Sequence, residues 1–157
     1  MAFWLVKEEP THYSYFDLER DGRTSWEGVR NPLALRHLGS MTLGEFVLYY
    51  HTGDERACVG IAKVVGVARA AHGTTRITLA PERRLARPVP LAEIKADGRF
   101  AESPLVRMGR LSVLPVTAPH WRALLRLADA SAPSPYSGTR PSRARRRSAV
   151  ARSSGAA

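Results

Sequence analysis

The stretch from Phe46 to Ala70 constrains the fold of this chain more than any other. Phe46, Leu48 and Tyr50 alternate with Val47, Tyr49 and His51, a period of two that an extended strand satisfies and a helix does not. Thr52-Gly53-Asp54-Glu55 reads as the turn, and Ala57 to Ala70 continues in Val, Ile and Ala, with Gly60 and Gly66 marking bulges or kinks. Phe3 to Lys7 and Leu111 to Val116 read as further strands, and so does Thr74 to Leu79, with Arg83 to Pro88 as its extension.

Short helices fall between and after these strands. Ser14 precedes Asp17 at capping-box spacing and predicts a helix over residues 15–20. Asn31-Pro32 reads as an N-cap followed by Pro at N1, with Gly39 at the C′ position just past the helix. Pro90 to Lys95 and the start at Ser103-Pro104 are two more, and Thr117 caps a helix carrying Trp121, Leu124, Leu125 and Leu127 at helical spacing. Strands interleaved with short helices imply a small α+β, barrel-like domain.

At 157 residues the chain accommodates one domain, residues 1–129, and a tail, residues 130–157. The single Cys58 has no partner in the chain and reads as a small buried hydrophobe. The formal net charge is +10, but residues 131–157 hold six arginines and no acid, which leaves 18 basic against 14 acidic residues elsewhere. Rich also in Ser, Pro and Ala, that segment is expected to be a disordered basic tail. The N-terminus has no basic n-region and meets acids too early for a signal peptide, and no apolar run approaches the ~18 residues of a membrane span. A cytoplasmic protein with no membrane role is expected.

Chemistry concentrates in Trp26-Glu27-Gly28-Val29-Arg30-Asn31 and in Tyr49-Tyr50-His51. Aromatic faces stack on flat rings, while a guanidinium and a carboxamide supply a directional polar edge. Nothing nearby resembles a nucleophile with its base. His12, His37, His51, His72 and His120 lack metal-ligand spacing, adjacent Glu8 and Glu9 point to opposite faces of a strand, and no glycine-rich phosphate loop occurs. The pattern points to recognition, with no catalytic residue, cofactor or metal called for.

Each candidate has two readings at this level. Trp26 and Trp4 are either core residues or stacking walls. Alternation sends one of Tyr49 and Tyr50 inward and the other outward, without saying which. Asn31 caps a helix or reads a base edge, and Arg30 reads that edge or pairs with Glu27 or Asp17. Arg107 and Arg110 straddle Gly109 as a solvated turn or as phosphate contacts, and Lys7 ends an otherwise apolar strand.

Several pieces then occur in one order over roughly residues 3–128: Trp4 to Pro10, Tyr13-Ser14 with Asp17-Leu18, Thr24 to Asn31, Met41 to Glu45, Val47 to Thr52, Val59 to Ala62, and Arg110 to Val116 with Trp121. In this ordered set the chain resembles the EVE domain, a member of the PUA-like superfamily related to the YTH readers of methylated RNA. The resemblance implies a PUA-like pseudobarrel of five to six strands with short flanking helices. It also implies a pocket for a modified base, such as a modified cytosine in DNA or a modified base in RNA. Family members are binders without catalytic machinery of their own, often neighbours or fusion partners of restriction systems. Restriction or nucleic-acid-modification proteins are therefore the expected protein partners. Glu8, Leu35 and Gly39 depart from the family pattern.

The reading that follows is a DNA- or RNA-binding module that takes a modified base from a single strand, or flipped out of a duplex, into an aromatic-lined pocket. Trp26, with Trp4 or one of Tyr49 and Tyr50, would stack on the ring. Asn31, Ser14 and Arg30 would read its polar edge, and Lys7, Arg107, Arg110 and the tail would hold phosphates. An enzyme or enzyme subunit acting on a nucleobase or small ligand, and a protein-interaction module, are the rival classes.

The tail yields a prediction of its own. Deleting residues 131–157 should weaken binding to any nucleic acid and flatten its salt dependence by roughly 0.7 per lost single-strand phosphate contact. The ratio of modified to unmodified affinity should not change, as titrations at several salt concentrations will show.

Overall fold

The computed structural model describes residues 1–69 and 75–130. The expected basic tail lies outside the described residues. Six strands form one sheet in the order β2-β5-β4-β3-β1-β6, curled into a half-barrel. They are β1 (Phe3–Glu8), β2 (Thr24–Trp26), β3 (Phe46–His51), β4 (Ala57–Arg69), β5 (Thr75–Pro90) and β6 (Val113–Val116). Among the described residues only β1 and β3 run parallel, and every other pairing is antiparallel. Helices α1 (Pro10–Tyr13), α2 (Tyr15–Asp21), α3 (Pro32–Gly39), α4 (Leu91–Ala96), α5 (Pro104–Arg107) and α6 (Ala118–Ala130) flank the sheet. The α+β, PUA-like expectation holds, with six strands.

The helix starts follow the sequence. Ser14 Oγ accepts the Asp17 N–H at 3.0 Å while Asp17 Oδ2 accepts the Ser14 N–H at 2.8 Å, a complete capping box. Asn31 Oδ1 accepts the N–H groups of Leu33 and Ala34, and Ser103 Oγ accepts that of Leu105. Gly39 proves to be the last residue of α3, with Ser40 as its C-cap. Among the strands and α-helices, two short elements escaped the sequence reading. Neither the three residues of β2 nor the four of α1 are long enough to display a period.

Both faces of the sheet are covered, which corrects the expectation for the tyrosine pair. Tyr49 is fully buried among Tyr15, Trp26 and His51, and its hydroxyl donates to the Tyr13 carbonyl at 2.6 Å. Tyr50, on the opposite face, is 3% exposed beneath Lys7, whose Nζ lies 5.5 Å from the ring centroid. Strand alternation separates the two rings, but alternation means in and out only when one face meets water. On the Tyr50 face, Trp121 of α6 stacks on Phe3 at 4.5 Å between centroids. On the Tyr49 face α2 supplies Tyr15, and α3 packs on both β5 and β6. Burial accordingly pushes the Tyr50 phenol up to about 12, and the Tyr49 phenol up as well.

Trp4 resolves as a core residue. It is 6% exposed, with its indole Nε1–H donating to Glu45 Oε1 at 2.8 Å. Burial pushes the Glu45 carboxyl up, but the bonds from Trp4, Thr42 and Ala2 outweigh it and hold the group below its ordinary value.

Gly60 and Gly66 both fall at register shifts of β4, as the sequence suggested. Gly60 has a further reason to be glycine. A Cβ there would lie 2.6 Å from the Tyr15 ring, whose hydroxyl donates to the Ile61 carbonyl at 2.7 Å. Because Tyr15 is fully buried and anchored, it cannot swing away. Gly60→Ala should therefore lower stability by about 1–3 kcal/mol through overpacking, read from a shifted urea midpoint with an unchanged slope.

Candidate functional site

Trp26 closes β2 opposite Ile77 and is 7% exposed, its ring edge-on to Tyr49 with centroids 5.5 Å apart. What remains exposed lines two clefts. The first, of about 180 Å³, is walled by Glu8, His12, Tyr13 and the β2 residues Thr24, Ser25 and Trp26, with Glu27 beyond them. The second, of about 250 Å³, runs between Trp26 and α3 and includes Val29, Leu35, Leu38 and Arg76. Arg76 faces Glu27 at 3.7 Å, both side chains largely solvated. Trp26 is thus at once a core residue and the aromatic wall of both clefts.

The polar groups of the first cleft differ from the expected set. Glu8 Oε1 accepts the Glu9 N–H at 3.0 Å and Oε2 meets His12 Nδ1 at 2.9 Å, so the carboxylate is held in place. The Tyr13 hydroxyl donates to Asp21 at 2.8 Å. Ser25 Oγ is buried without a hydrogen-bond partner. Buried hydroxyls are seldom left so, and beside a cleft such a group can be completed by a water or by a ligand. Among the described residues neither lysine nor arginine lines this cleft.

Basic residues gather elsewhere. A shallower concavity of about 390 Å³ is formed by Asn31, Leu33, Arg107, Met108, Gly109 and Arg110, closed by Leu111. Lys7 Nζ donates to the Gly109 carbonyl at 2.8 Å, tying β1 to this loop. Burial draws the Lys7 ammonium below its ordinary value, partly offset by neighbouring Cys58, whose thiol burial pushes up to about 12. Arg107 pairs with Glu102 at 2.7 Å. Arg30 and Arg110 are exposed and form no ion pair among the described residues. Segment 27–31 runs from the Trp26 clefts to this basic concavity.

The structure therefore divides the sequence's candidates. Trp26 borders the clefts. Asn31, Arg107 and Arg110 share the basic concavity, with Lys7 bonded to its loop and Arg30 next to Asn31 in the chain. Trp4, Tyr49 and Tyr50 are packed in the core, and the Ser14 hydroxyl is occupied as a cap. Reading the sequence missed His12, Tyr13, Thr24 and Ser25 as cleft walls. Ser25 stood beside Trp26 throughout, but its exposure to the cleft depends on the unforeseen β2. Among the described residues no three His, Cys, Asp or Glu side chains gather as metal ligands, and no helix is long and apolar enough to cross a membrane.

The EVE domain family matches residues 2–127. Human thymocyte nuclear protein 1 is 27% identical over 167 aligned positions, covering 82% of this chain and 74% of that protein. The solution structure of a protein from Rhodopseudomonas palustris superposes with a TM-score of 0.77 at 32% identity, over 83% of this chain and 94% of the other. The crystal structure of human THYN1 protein in complex with 5-methylcytosine-containing DNA superposes with a TM-score of 0.76 at 24% identity, over 82% and 98%.

Asn31 can be tested in both of its roles. Its oxygen is engaged by two amides, which leaves the carboxamide NH₂ free to donate at the rim of the concavity. Asn31→Ala should cost about 1 kcal/mol as a lost cap, whereas Asn31→Ser should keep near-wild-type stability. If the NH₂ contacts nucleic acid, both variants should bind it more weakly. Thermal melts paired with binding titrations separate the two effects.

Proposed function

The chain belongs to the EVE domain family, and on that premise we propose that it is a non-catalytic reader of a modified base in DNA or RNA. The observation that carries this reading is the pairing of an aromatic-walled cleft having an unsatisfied hydroxyl with a separate basic concavity along the same segment. A base taken from a single strand, or flipped out of a duplex, would enter beside Trp26. Its phosphates would stay outside, near Arg30, Arg107, Arg110 and the amide of Asn31. Lys7 would position the Gly109 loop rather than reach a phosphate itself, since its ammonium is already engaged there. Phosphate contacts of this kind fix orientation and carry no sequence information.

The fold of human THYN1 protein, captured with DNA containing 5-methylcytosine, supports the choice of ligand class. A reader needs no nucleophile, and the cleft's own groups suit binding better than turnover. Glu8 and His12 are hydrogen-bonded to each other at 2.9 Å, and Tyr13 is committed to Asp21. The added methyl of a modified base would gain about 1 kcal/mol if fully desolvated against apolar surface.

Short oligonucleotides in DNA and RNA, each with one modified or unmodified base, test the reading by fluorescence anisotropy. One modified base should bind several-fold tighter than its unmodified parent. Trp26→Phe keeps a core aromatic but loses stacking area, and should reduce that affinity while the protein stays folded. Trp26→Ala is the poorer probe because emptying this core site costs about 3–5 kcal/mol. Equal affinity for every base, in wild type and Trp26→Phe alike, would refute a base-reading cleft.

A further inference from the structure

We infer that Glu8 is the specificity-determining group of the Trp26 cleft, selecting bases that present an exocyclic amino group beside a ring nitrogen. Cytosine and adenine present such an edge, and keto bases such as thymine do not. This rests on the base-reader reading above and deepens it.

Glu8 ends β1 opposite His51, on the sheet face that carries Tyr49, so its side chain reaches the cleft and not the Lys7 side. Its two hydrogen bonds, one from the Glu9 amide and one with His12, fix the carboxylate before any ligand arrives. An ionised carboxylate only accepts hydrogen bonds, through about four lone-pair positions, so two acceptances leave capacity for another donor. The second group is the Ser25 hydroxyl, buried and unpartnered. A hydroxyl both donates and accepts, and here it can donate to a ring nitrogen. Together they complement an N–H group lying beside a lone pair.

The rest of the lining reinforces the choice. Glu27 adds a second carboxylate at the cleft, and among the described residues no lysine or arginine lines it to receive a keto oxygen. A base with a carbonyl at that edge would set its lone pairs against those of Glu8 and leave the carboxylate without its new donor. Losing one hydrogen bond while facing like partial charges separates the two edges on the order of ten-fold.

The test uses the full chain and single-stranded oligonucleotides that differ at one base. One pair compares 5-methylcytosine with thymine, which share the ring methyl and differ at the amino edge. A second pair compares N6-methyladenine with hypoxanthine. Wild type should favour the amino member of at least one pair by about ten-fold or more. Glu8→Gln, whose carboxamide donates as well as accepts, should bring that ratio to within about two-fold. The ratio is the readout because removing a negative charge raises affinity for every nucleic acid. Ser25→Ala, confirmed as folded by its melt, should weaken binding of the preferred amino base. Equal binding within both pairs by wild type, or a ratio unchanged in Glu8→Gln, would overturn the inference and leave the reader intact. Failure of the reader itself looks different, as no probe would then bind above its unmodified parent.

Discussion

The placement of Tyr15 is the constraint on which the rest of the molecule depends. Its ring lies on Gly60, its hydroxyl bonds the Ile61 carbonyl, and its backbone N–H donates to His51 Nε2 at 3.0 Å. Because Nε2 accepts, Nδ1 carries the proton shared with Glu55 at 3.0 Å, and the imidazole is fixed in one tautomer. Three anchors from one residue pin the start of α2 to β3 and β4. The preceding residues have no freedom left: Tyr13 receives the Tyr49 hydroxyl through its carbonyl, and His12 is brought to Glu8. One wall of the cleft is thus a by-product of core packing, which makes it rigid before ligand arrives. Preorganisation of this kind lowers the entropy lost on binding.

Charge is sorted in space as well as along the chain. The Trp26 cleft carries carboxylates and a serine, whereas arginines collect around Gly109 and along segment 131–157. A cleft with a positive lining would attract phosphate and stall there. In the proposed reading, an acidic cleft beside a basic concavity would repel the backbone and leave the base as the part of a nucleotide that gains by entering. Net charge alone cannot show this, because it sums over a surface whose two signs do different work.

Several residues serve the fold and the site together, which limits how either can change. Trp26 packs against Tyr49 and walls both clefts. Asn31 starts α3, which covers the sheet next to β6, while offering its amide to the concavity. Lys7 is a strand residue whose ammonium orders the Gly109 loop. Loss of binding in variants at these positions has meaning only beside a measurement of stability.

By itself the sequence determined every strand but β2, the helix caps and the family. Those depend on local spacing: two-residue alternation in β3, Ser14 with Asp17, Asn31 with Pro32, and glycines where β4 shifts register. It also singled out Trp26 and the arginines flanking Gly109. The sequence could not say which aromatic faces a ligand. Alternation puts Tyr49 and Tyr50 on opposite faces, yet helices cover both, and burial is a property of what packs on a strand rather than of the strand. Nor could it find the cleft's polar lining. Glu8, His12, Tyr13 and Ser25 meet only because β1, α1 and β2 converge, and Ser25 is held there by a pairing of β2 with β5 that three residues are too few to announce. Local periodicity is written along the chain, whereas convergence of distant segments exists only once the strands have paired and α2 has packed on the curled sheet.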